Sequence, residues 1–391
     1  MSGINGCCDL MVEIFERLPP KSIIRFRSIS KYWHSRLATP EFIHNYRLRC
    51  SKNPPKLLIR SRCVISGGKY DYKDIYTLHS GDQFDQLPLH IPGNRYLSIP
   101  KVEFPCSLMT MLSRNRVSVV GSCNGILCLR DDDDDNISLW NLSIRRRVRV
   151  PSPPFISPLK SSMAVGFGFD PITDDYKIVA IDFEEHKTFV YSLKNEYWSE
   201  VPSPSYRLLY MSISKPYFFN EILHWVVVPQ DPHPSRFILT FNVSSHVFGR
   251  ILFPEHWIVR QLTTINGCLA LVSSEDGDSW KIRVMGEYGK TESWSLLFEL
   301  KRDAFHWSAA FQRITNGDLL ACYKGTNGDL LVLYGGSKEV YNPQTRLLTK
   351  VFEYRPNGYK LEMDTYVESL ELVDKESATT CGKTGWACYD C

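Results

Sequence analysis

The chain has 391 residues, with 46 Lys and Arg against 43 Asp and Glu, which gives a formal net charge of +3. Hydrophobic residues make up 43% and charged residues 23%, so the composition excludes a disordered, collagen-like or coiled-coil protein. The small basic excess argues against nucleic-acid binding, which depends on many phosphate contacts. Aromatic residues reach 13%, with 23 Gly and 23 Pro, and this mixture favours short strands joined by many turns.

The sequence predicts a soluble protein of the cytoplasm, the nucleus or both. Its longest apolar runs, such as Ile222–Pro229, are far shorter than the ~20 residues of a membrane-spanning helix. No basic segment followed by an apolar one marks a secretory signal near Met1. In a reducing compartment the twelve cysteines are expected to stay free. The pair Cys388 and Cys391 lacks the second pair of a structural zinc site, so we predict no metal and no cofactor.

Residues 9–50 show helical periodicity. The first predicted helix is capped by Asp9, and Pro19-Pro20 ends it. A second apolar run follows, Ser30 caps a third helix, and Thr39-Pro40-Glu41 opens a fourth. So small a unit cannot bury all its apolar side chains. Part of its surface must therefore meet the rest of the chain or another protein.

Beyond Lys52–Pro55, short apolar runs bounded by turn residues recur about every 50 residues. An aromatic residue closes each run, and the intervals between these aromatics are 51, 50, 47 and 53 residues. The pairs are Trp140-Asn141, Tyr191-Ser192, Phe241-Asn242, Tyr288-Gly289 and Tyr341-Asn342. Such a period indicates a β-propeller, in which neighbouring blades bury each other's faces.

Five blades are clear, and a sixth is predicted from Lys56–Pro92. The run Thr365–Leu370 is expected to supply a strand that closes the ring on the first blade, which removes exposed sheet edges. Two β-sandwiches in tandem are the alternative, but they do not explain the repeat. The predicted fold class is mainly β with a small N-terminal α module, followed by a propeller of about six blades.

Several segments resemble a known family. Leu10–Pro19, Lys21–Arg27 and Ser30–Trp33 resemble an F-box, a three-helix unit. Further segments in the order Gly121–Leu129, Gly166–Pro171, Asp174–Val179, Val190–Leu193 and Tyr366–Leu370 resemble the kelch-like region of the large plant F-box family. The resemblance covers nearly the whole chain. It implies an F-box domain at residues 1–50, a linker at 51–55, a propeller at 56–373 and a flexible tail at 374–391.

The resemblance also implies a function. The chain is expected to be the substrate-recognition subunit of an SCF-type ubiquitin ligase and not an enzyme, with the F-box docked on a Skp-family adaptor and, through it, a cullin-RING complex. The propeller would bind an unidentified protein substrate for degradation. The implied adaptor-binding residues are Leu10, Ile14, Leu18, Pro19, Ile23, Phe26, Ile29, Trp33 and Leu37. Several of them also suit the module's own core, and Phe26 and Trp33 fit either role.

The chain departs from the family pattern at two positions, because the family opens the first helix with a Leu-Pro pair where this chain has Gly6-Cys7. Burying an apolar side chain such as the missing Leu typically stabilises a complex by ~1.5–3 kcal/mol. We therefore expect adaptor affinity to be weaker than the family norm by roughly one to two orders of magnitude.

No catalytic motif is visible in the sequence, and its charge clusters suit loops and strands. The acidic run Asp131–Asp135 is expected to form a hairpin loop in the same blade as the basic cluster at Arg145–Arg149, to which it could be charge-paired. Candidate substrate-binding loops are Asp131–Asn136, Pro229–Pro234 and Ser273–Ser279. A propeller enzyme of the kelch-type copper oxidase class and an F-box scaffold without a ubiquitination role remain the alternatives.

Overall fold

The computed structural model describes residues 10–53, 56–64, 72–79, 117–131, 136–154, 163–204, 208–209, 215–229, 236–265, 267–274, 279–301, 321–324, 330–334, 337–342, 347–353, 361–375 and 378–380. Structural statements below refer to these residues. The first helix, α1, is described over residues 10–16, and its predicted cap Asp9 lies outside the described residues. The next three helices are α2 (Pro20–Arg27), α3 (Lys31–Arg36) and α4 (Pro40–Cys50).

The helix boundaries follow local chemistry. Pro20 is the first residue of α2, where its missing N–H and fixed φ suit a helix start. The Ser30 hydroxyl accepts a hydrogen bond from the Trp33 N–H at 3.2 Å, and the Thr39 hydroxyl accepts one from the Phe42 N–H at 3.3 Å. Both side chains satisfy backbone donors that a helix start leaves free. The predicted cap of the third helix and the predicted start of the fourth are therefore confirmed.

The described strands form six antiparallel sheets. The first sheet contains β1 (Lys56–Val64), β2 (Tyr72–His79) and β24 (Leu361–Tyr366). The second contains β3 (Val117–Cys123), β4 (Ile126–Asp131), β5 (Ile137–Asn141), β6 (Arg146–Val150) and β25 (Thr379–Thr380). The third contains β7 (Met163–Asp170), β8 (Asp175–Asp182), β9 (Lys187–Ser192) and β10 (Tyr197–Val201).

The remaining three sheets continue the series in chain order. The fourth contains β11 (Leu208–Leu209), β12 (Tyr217–Phe219), β13 (Ile222–Pro229), β14 (Phe237–Asn242) and β15 (Val247–Leu252). The fifth contains β16 (Ile258–Ile265), β17 (Cys268–Ser274), β18 (Ser279–Met285) and β19 (Trp294–Lys301), with a 3-10 turn at Thr291–Ser293. The sixth contains β20 (Ala321–Lys324), β21 (Leu330–Tyr334), β22 (Ser337–Asn342) and β23 (Leu347–Glu353).

The 50-residue repeat reflects one cross-strand pair between the third and fourth strands of the second to sixth sheets. Tyr191 near the end of the third strand of its sheet faces Trp198 at the start of the fourth, and their rings lie 5.3 Å apart. The same seven-residue spacing pairs Trp140 with Arg147, Phe241 with Phe248, and Tyr341 with Leu348. In the fifth sheet the prediction was wrong about Tyr288, because β18 ends at Met285 and Met285 faces Trp294.

Core clusters lie between neighbouring sheets, as a propeller requires. One cluster joins the second and third sheets, and another joins the third and fourth. Gly166 and Gly168 of β7 make the second junction possible. A Cβ on Gly166 would lie 2.5 Å from Trp225 Cζ2, and one on Gly168 would lie 2.4 Å from Phe218 Cε2. The two glycines thus leave room for rings of the next sheet.

The ring closes through β24, which pairs with β1. The first strands of neighbouring sheets contact one another in the series β24, β3, β7, β12, β16 and β20. An ion pair between Lys215 and Asp364 also connects the fourth sheet to the first. The closing strand predicted at Thr365–Leu370 is displaced, because pairing ends at Tyr366 and the chain then leaves the sheet. The mainly β fold class and the propeller are confirmed.

The chain stays packed beyond the predicted propeller boundary at residue 373. Ala378 belongs to the core cluster of the second and third sheets, and Thr379–Thr380 pairs with Arg146 and Arg147 on the outer edge of β6. The boundary therefore falls short of this strand, whose two residues a sequence pattern does not reveal. Residues 381–391, the rest of the predicted flexible tail, lie outside the described residues.

The two ends of the sheets carry different connections. In the second to sixth sheets, the turns from first to second strand and from third to fourth strand lie at one end, since consecutive strands are antiparallel. We call this end the helix-facing end, because its turn residues Ile144 and Asp174 contact the helical module. The connections from second to third strand lie at the opposite end, which we call the far end.

Candidate functional site

An aromatic cluster assembles α1, α2 and α3 into one module. The Phe15 ring lies 5.0 Å from the Phe26 ring and 4.8 Å from the Trp33 ring. The Tyr46 hydroxyl of α4 donates a hydrogen bond to the Leu18 carbonyl at 2.9 Å, and burial raises the pKa of Tyr46 well above its ordinary value. These contacts fix the relative positions of the four helices.

The nine residues implied as adaptor-binding divide into three groups. Leu10, Ile14, Pro19 and Ile29 are exposed, with Leu10 at 57%, Ile14 at 41% and Ile29 at 67%. Leu18, Phe26 and Trp33 are half-buried against the module's core. Ile23 and Leu37 are each 0% exposed. The predicted set therefore does not form one surface.

Ile23 and Leu37 lie inside the molecule and not on the proposed docking surface. Their cluster also contains Ile144, Leu370 and Val373 of the propeller. The propeller thus packs against one side of the module, and both side chains are already buried without an adaptor. Sequence periodicity finds such residues but does not tell which partner buries them.

One exposed aromatic residue was missing from the predicted set. Tyr32 is 53% exposed, and its ring lies 4.9 Å from that of Trp33. We call Leu10, Ile14, Pro19, Ile29 and Tyr32 the exposed apolar set. Single exposed apolar side chains are ordinary on a protein surface, whereas five within 23 residues make the module a candidate interaction surface. Tyr32 directly precedes Trp33 in the sequence, and this adjacency was the signal that could have identified it.

The predicted substrate-binding loops lie mostly outside the described residues. The strand ends that flank them are described, and all three loops connect the second strand of a sheet to the third. Their flanking residues Asp131, Pro229 and Ser274 are therefore at the far end. The predicted substrate loops thus begin at the end of the propeller opposite the helical module.

Asp131, the one described residue of the acidic run, lies in the same sheet as the basic cluster, as predicted. Asp131 ends β4 at the far end and is buried, whereas Arg146 and Arg147 begin β6 at the helix-facing end. An Arg147 Nη atom donates to the Ser138 hydroxyl at 2.9 Å. An Arg146 Nη atom donates to the Lys375 carbonyl. At least part of the basic cluster therefore supports the sheet and the chain segment that follows β24.

The cysteines that are described behave as small apolar residues. Cys128 lies in β4 and is 0% exposed, and Cys268 lies in β17. Burial raises the pKa of the Cys128 thiol and raises that of Cys123 to about 12. Within the described ranges, no three His, Cys, Asp or Glu side chains are grouped as metal ligands would be, and no helix is long and apolar enough to cross a membrane. Cys388 and Cys391 are outside those ranges.

The described residues thus form a helical module with an exposed apolar set, packed against one end of a six-sheet propeller. Comparison with known families agrees. The F-box domain family matches residues 7–45, and the family described as "F-box associated beta propeller domain" matches residues 89–352, more than half of the chain. The chain belongs to this family and is a plant-type F-box protein.

Individual relatives with lower sequence identity belong to the same class of F-box proteins. The chain is 27% identical to the F-box/kelch-repeat protein At3g23880 of Arabidopsis thaliana over 75% of this chain and 78% of that protein. It is also 27% identical to the Arabidopsis F-box protein CPR1 over 78% of this chain and 75% of that protein. A bacterial extracellular domain from B. thetaiotaomicron aligns over 75% of this chain and 33% of that chain, with 12% identity and a TM-score of 0.35. So low a score carries no argument about the fold.

Proposed function

We propose that this protein is the substrate-recognition subunit of an SCF-type ubiquitin ligase. The helical module binds a Skp-family adaptor, which links it to a cullin-RING complex, and the propeller binds the protein to be ubiquitinated. The protein itself performs no chemistry in this proposal, and it works in the cytoplasm, the nucleus or both. The observation that carries the proposal is the exposed apolar set on a module whose other side is already buried against the propeller.

The energetics of the exposed apolar set suit a protein partner. Leu10, Ile14 and Ile29 retain 41–67% of their surface, so each gains about 1 kcal/mol when a partner covers it. Residues 1–50 also carry eight Lys and Arg against four Asp and Glu, and this basic excess favours an adaptor surface with acidic residues. The three apolar side chains thus supply contact area, while the basic residues help to orient the adaptor on the module.

The position of the two surfaces suits a receptor. The helical module contacts the helix-facing end, whereas the predicted substrate loops begin at the far end. A substrate on those loops and an adaptor on the module would therefore not compete for space. This separation supports simultaneous binding, which transfer of ubiquitin to a captured substrate requires.

The test is the affinity of the purified full chain for a purified Skp-family adaptor. Replacing Ile29 by Glu should weaken binding at least about tenfold, because a carboxylate would face an apolar partner surface without a compensating group. Ile172→Glu is the matched control, since Ile172 is 80% exposed on a turn of the third sheet and outside the module. Failure of the wild-type chain to bind, or equal affinities of the Ile29→Glu and control variants, contradicts the proposal.

A further inference from the structure

The segment that follows the ring-closing strand passes between the propeller and the helical module. After Tyr366 the chain continues through residues 367–373, which we call the clasp segment. Leu370 and Val373 of this segment are buried in the same cluster as Phe15, Ile23 and Leu37 of the module. The segment therefore completes the module's core with apolar side chains that lie more than 300 residues away in sequence.

The other side of the clasp segment is hydrogen-bonded to the second sheet. The Asn141 amide donates to the Ser369 carbonyl at 3.2 Å and to the Glu371 carbonyl at 2.8 Å. The Ser143 hydroxyl lies 2.6 Å from the Tyr366 hydroxyl. The β3–β4 turn also approaches closely, since a Cβ on Gly125 would lie 2.4 Å from the Val367 carbonyl oxygen. The clasp segment is thus held on the propeller along its length.

Arg47 of α4 connects the module to the clasp segment and to the third sheet. One Nη atom donates to the Glu371 carboxylate at 3.1 Å, and the other donates to the Asp174 carboxylate at 2.8 Å. The guanidinium carbon lies 4.5 Å from the centre of the Phe169 ring. The planar guanidinium can satisfy two carboxylates and stack on a ring together, which a lysine ammonium cannot.

Burial makes this contact sensitive to the loss of either partner. The side chains of Arg47 and Glu371 are 12% and 10% exposed. Burial raises the pKa of the Glu371 carboxyl to about 7, against the opposing effects of Arg47 and Tyr176. Removing one member of such a pair leaves a buried charge without compensation, which is strongly destabilising. The Arg47–Glu371 ion pair therefore depends on the module remaining packed against the propeller.

We infer that the clasp segment and Arg47 together hold the helical module in one fixed position on the helix-facing end of the propeller, with Arg47 as the positioning residue. Ring closure and module seating are then coupled, because one chain segment carries out both. The functional consequence rests on the proposed function: the adaptor-binding surface and the far end of the propeller keep a constant separation and orientation.

Hydrogen exchange of the full chain, followed by mass spectrometry, tests this inference. In Arg47→Ala, exchange in residues 40–50 and 366–373 should accelerate at least about tenfold, because Glu371 and Asp174 lose their shared cation. Exchange in β7, β8 and β9 should stay as in the wild type. Arg49→Ala is the matched control, since Arg49 lies on the same helix and is exposed. It should match the wild type throughout.

Glu371→Gln provides a second variant that keeps the side-chain shape and removes the charge. We expect faster exchange in the same two regions, to a smaller extent because Asp174 still binds Arg47. Unchanged exchange there in both variants, or acceleration that extends equally through β7–β9, overturns the inference. Adaptor affinity of Arg47→Ala should stay within about twofold of the wild type, because Arg47 faces the propeller. If even the wild type fails to bind an adaptor, the proposed function fails while the exchange data still decide the inference.

Discussion

Gly121 and Gly166 lie on neighbouring inner strands but face very different amounts of free space. A Cβ on Gly121 would meet nothing closer than 3.7 Å, which is ordinary contact. A Cβ on Gly166 would lie 2.5 Å from Trp225 Cζ2 and 2.8 Å from Leu223 Cδ1, and both of these side chains are buried. The glycine of the Gly166–Pro171 motif therefore serves the packing between the third and fourth sheets.

Replacing Gly166 by Ala should lower the free energy of unfolding by about 1–3 kcal/mol, because the fully buried Trp225 must shift. Gly121→Ala should change it by no more than about 0.5 kcal/mol, or raise it slightly, since alanine reduces the entropy of the unfolded chain. Denaturant unfolding of both variants measures the difference. Equal effects of the two substitutions would show that Gly166 is not constrained by Trp225.

His224 is a buried residue whose charge state should affect stability in acid. Its Nε2 lies 2.7 Å from the Tyr288 hydroxyl and its Nδ1 lies 3.1 Å from the Tyr217 carbonyl oxygen. Burial lowers the pKa of His224 from 6.5 to about 4. The unfolded chain therefore binds a proton before the folded chain does. The contribution of this group to stability is complete above pH 6.5 and is lost as the pH falls from 6.5 to 4.

His224→Gln should reduce the acid sensitivity of folding by about 3 kcal/mol between pH 6.5 and 4, since a pKa difference of one unit corresponds to about 1.4 kcal/mol. At neutral pH the variant should be less stable than the wild type, because glutamine cannot keep both hydrogen bonds. Urea unfolding at several pH values measures this, with the exposed His256→Gln as the control. A wild-type slope in His224→Gln would exclude His224 as the titrating group.

At the scale of elements, the turn between β5 and β6 anchors the clasp segment. Asn141 is fully buried and donates to backbone carbonyls of that segment, while its side-chain oxygen accepts from the Ser143 N–H at 2.9 Å. Asn242 holds the same place in the fourth sheet, where its side-chain oxygen accepts from the Ser244 and Ser245 N–H groups. The two asparagines shape similar turns, but Asn141 also binds a distant segment.

Asn141→Ala should therefore lower the free energy of unfolding by about 3 kcal/mol or more, because each buried carbonyl without a donor costs about 1–3 kcal/mol. Asn242→Ala should cost about 1 kcal/mol, which is typical of a lost turn hydrogen bond. Thermal and denaturant unfolding distinguish the two. Similar losses in both variants would mean that the clasp segment does not depend on Asn141.

The first helix carries a second prediction at this scale. The family's Leu-Pro pair is replaced by Gly6-Cys7, and both residues lie outside the described ranges. The double substitution Gly6→Leu with Cys7→Pro should raise adaptor affinity by roughly one to two orders of magnitude, because it restores an apolar side chain worth ~1.5–3 kcal/mol. Titration calorimetry with a Skp-family adaptor checks this. Unchanged affinity would show that the departure is compensated elsewhere in the module.

At the scale of the whole molecule, the parts that were predictable are those with local or periodic causes. Ser30 and Thr39 cap helices through bonds three residues away, and the recurrent aromatics pair across a short hairpin. The burial of Ile23 and Leu37 and the pairing of Arg47 with Glu371 were not predictable. Part of the cluster around Ile23 and Leu37, and the partner of Arg47, lie more than 100 residues away in sequence, and the folded propeller brings them to the module.

The helix-facing end and the far end of the propeller carry different elements. One end carries the seated module with its exposed apolar set, and the other end is where the predicted substrate loops begin. The near-neutral total charge conceals this division, since residues 1–50 have a net charge of +4 and the remaining 341 residues a net charge of −1. The helical module is therefore basic, whereas the rest of the chain is nearly neutral.

Proximity labelling in plant cells, with the full chain fused to a labelling enzyme, tests this account most directly. The wild type should label a Skp-family adaptor and a cullin both with and without proteasome inhibition. It should also label substrate proteins, and their labelling should rise when the proteasome is inhibited. Ile29→Glu should lose the adaptor and cullin, and its other labelled proteins should be abundant without the inhibitor. Equal labelling of adaptor and cullin by both chains, or labelling that ignores proteasome inhibition, would contradict the account.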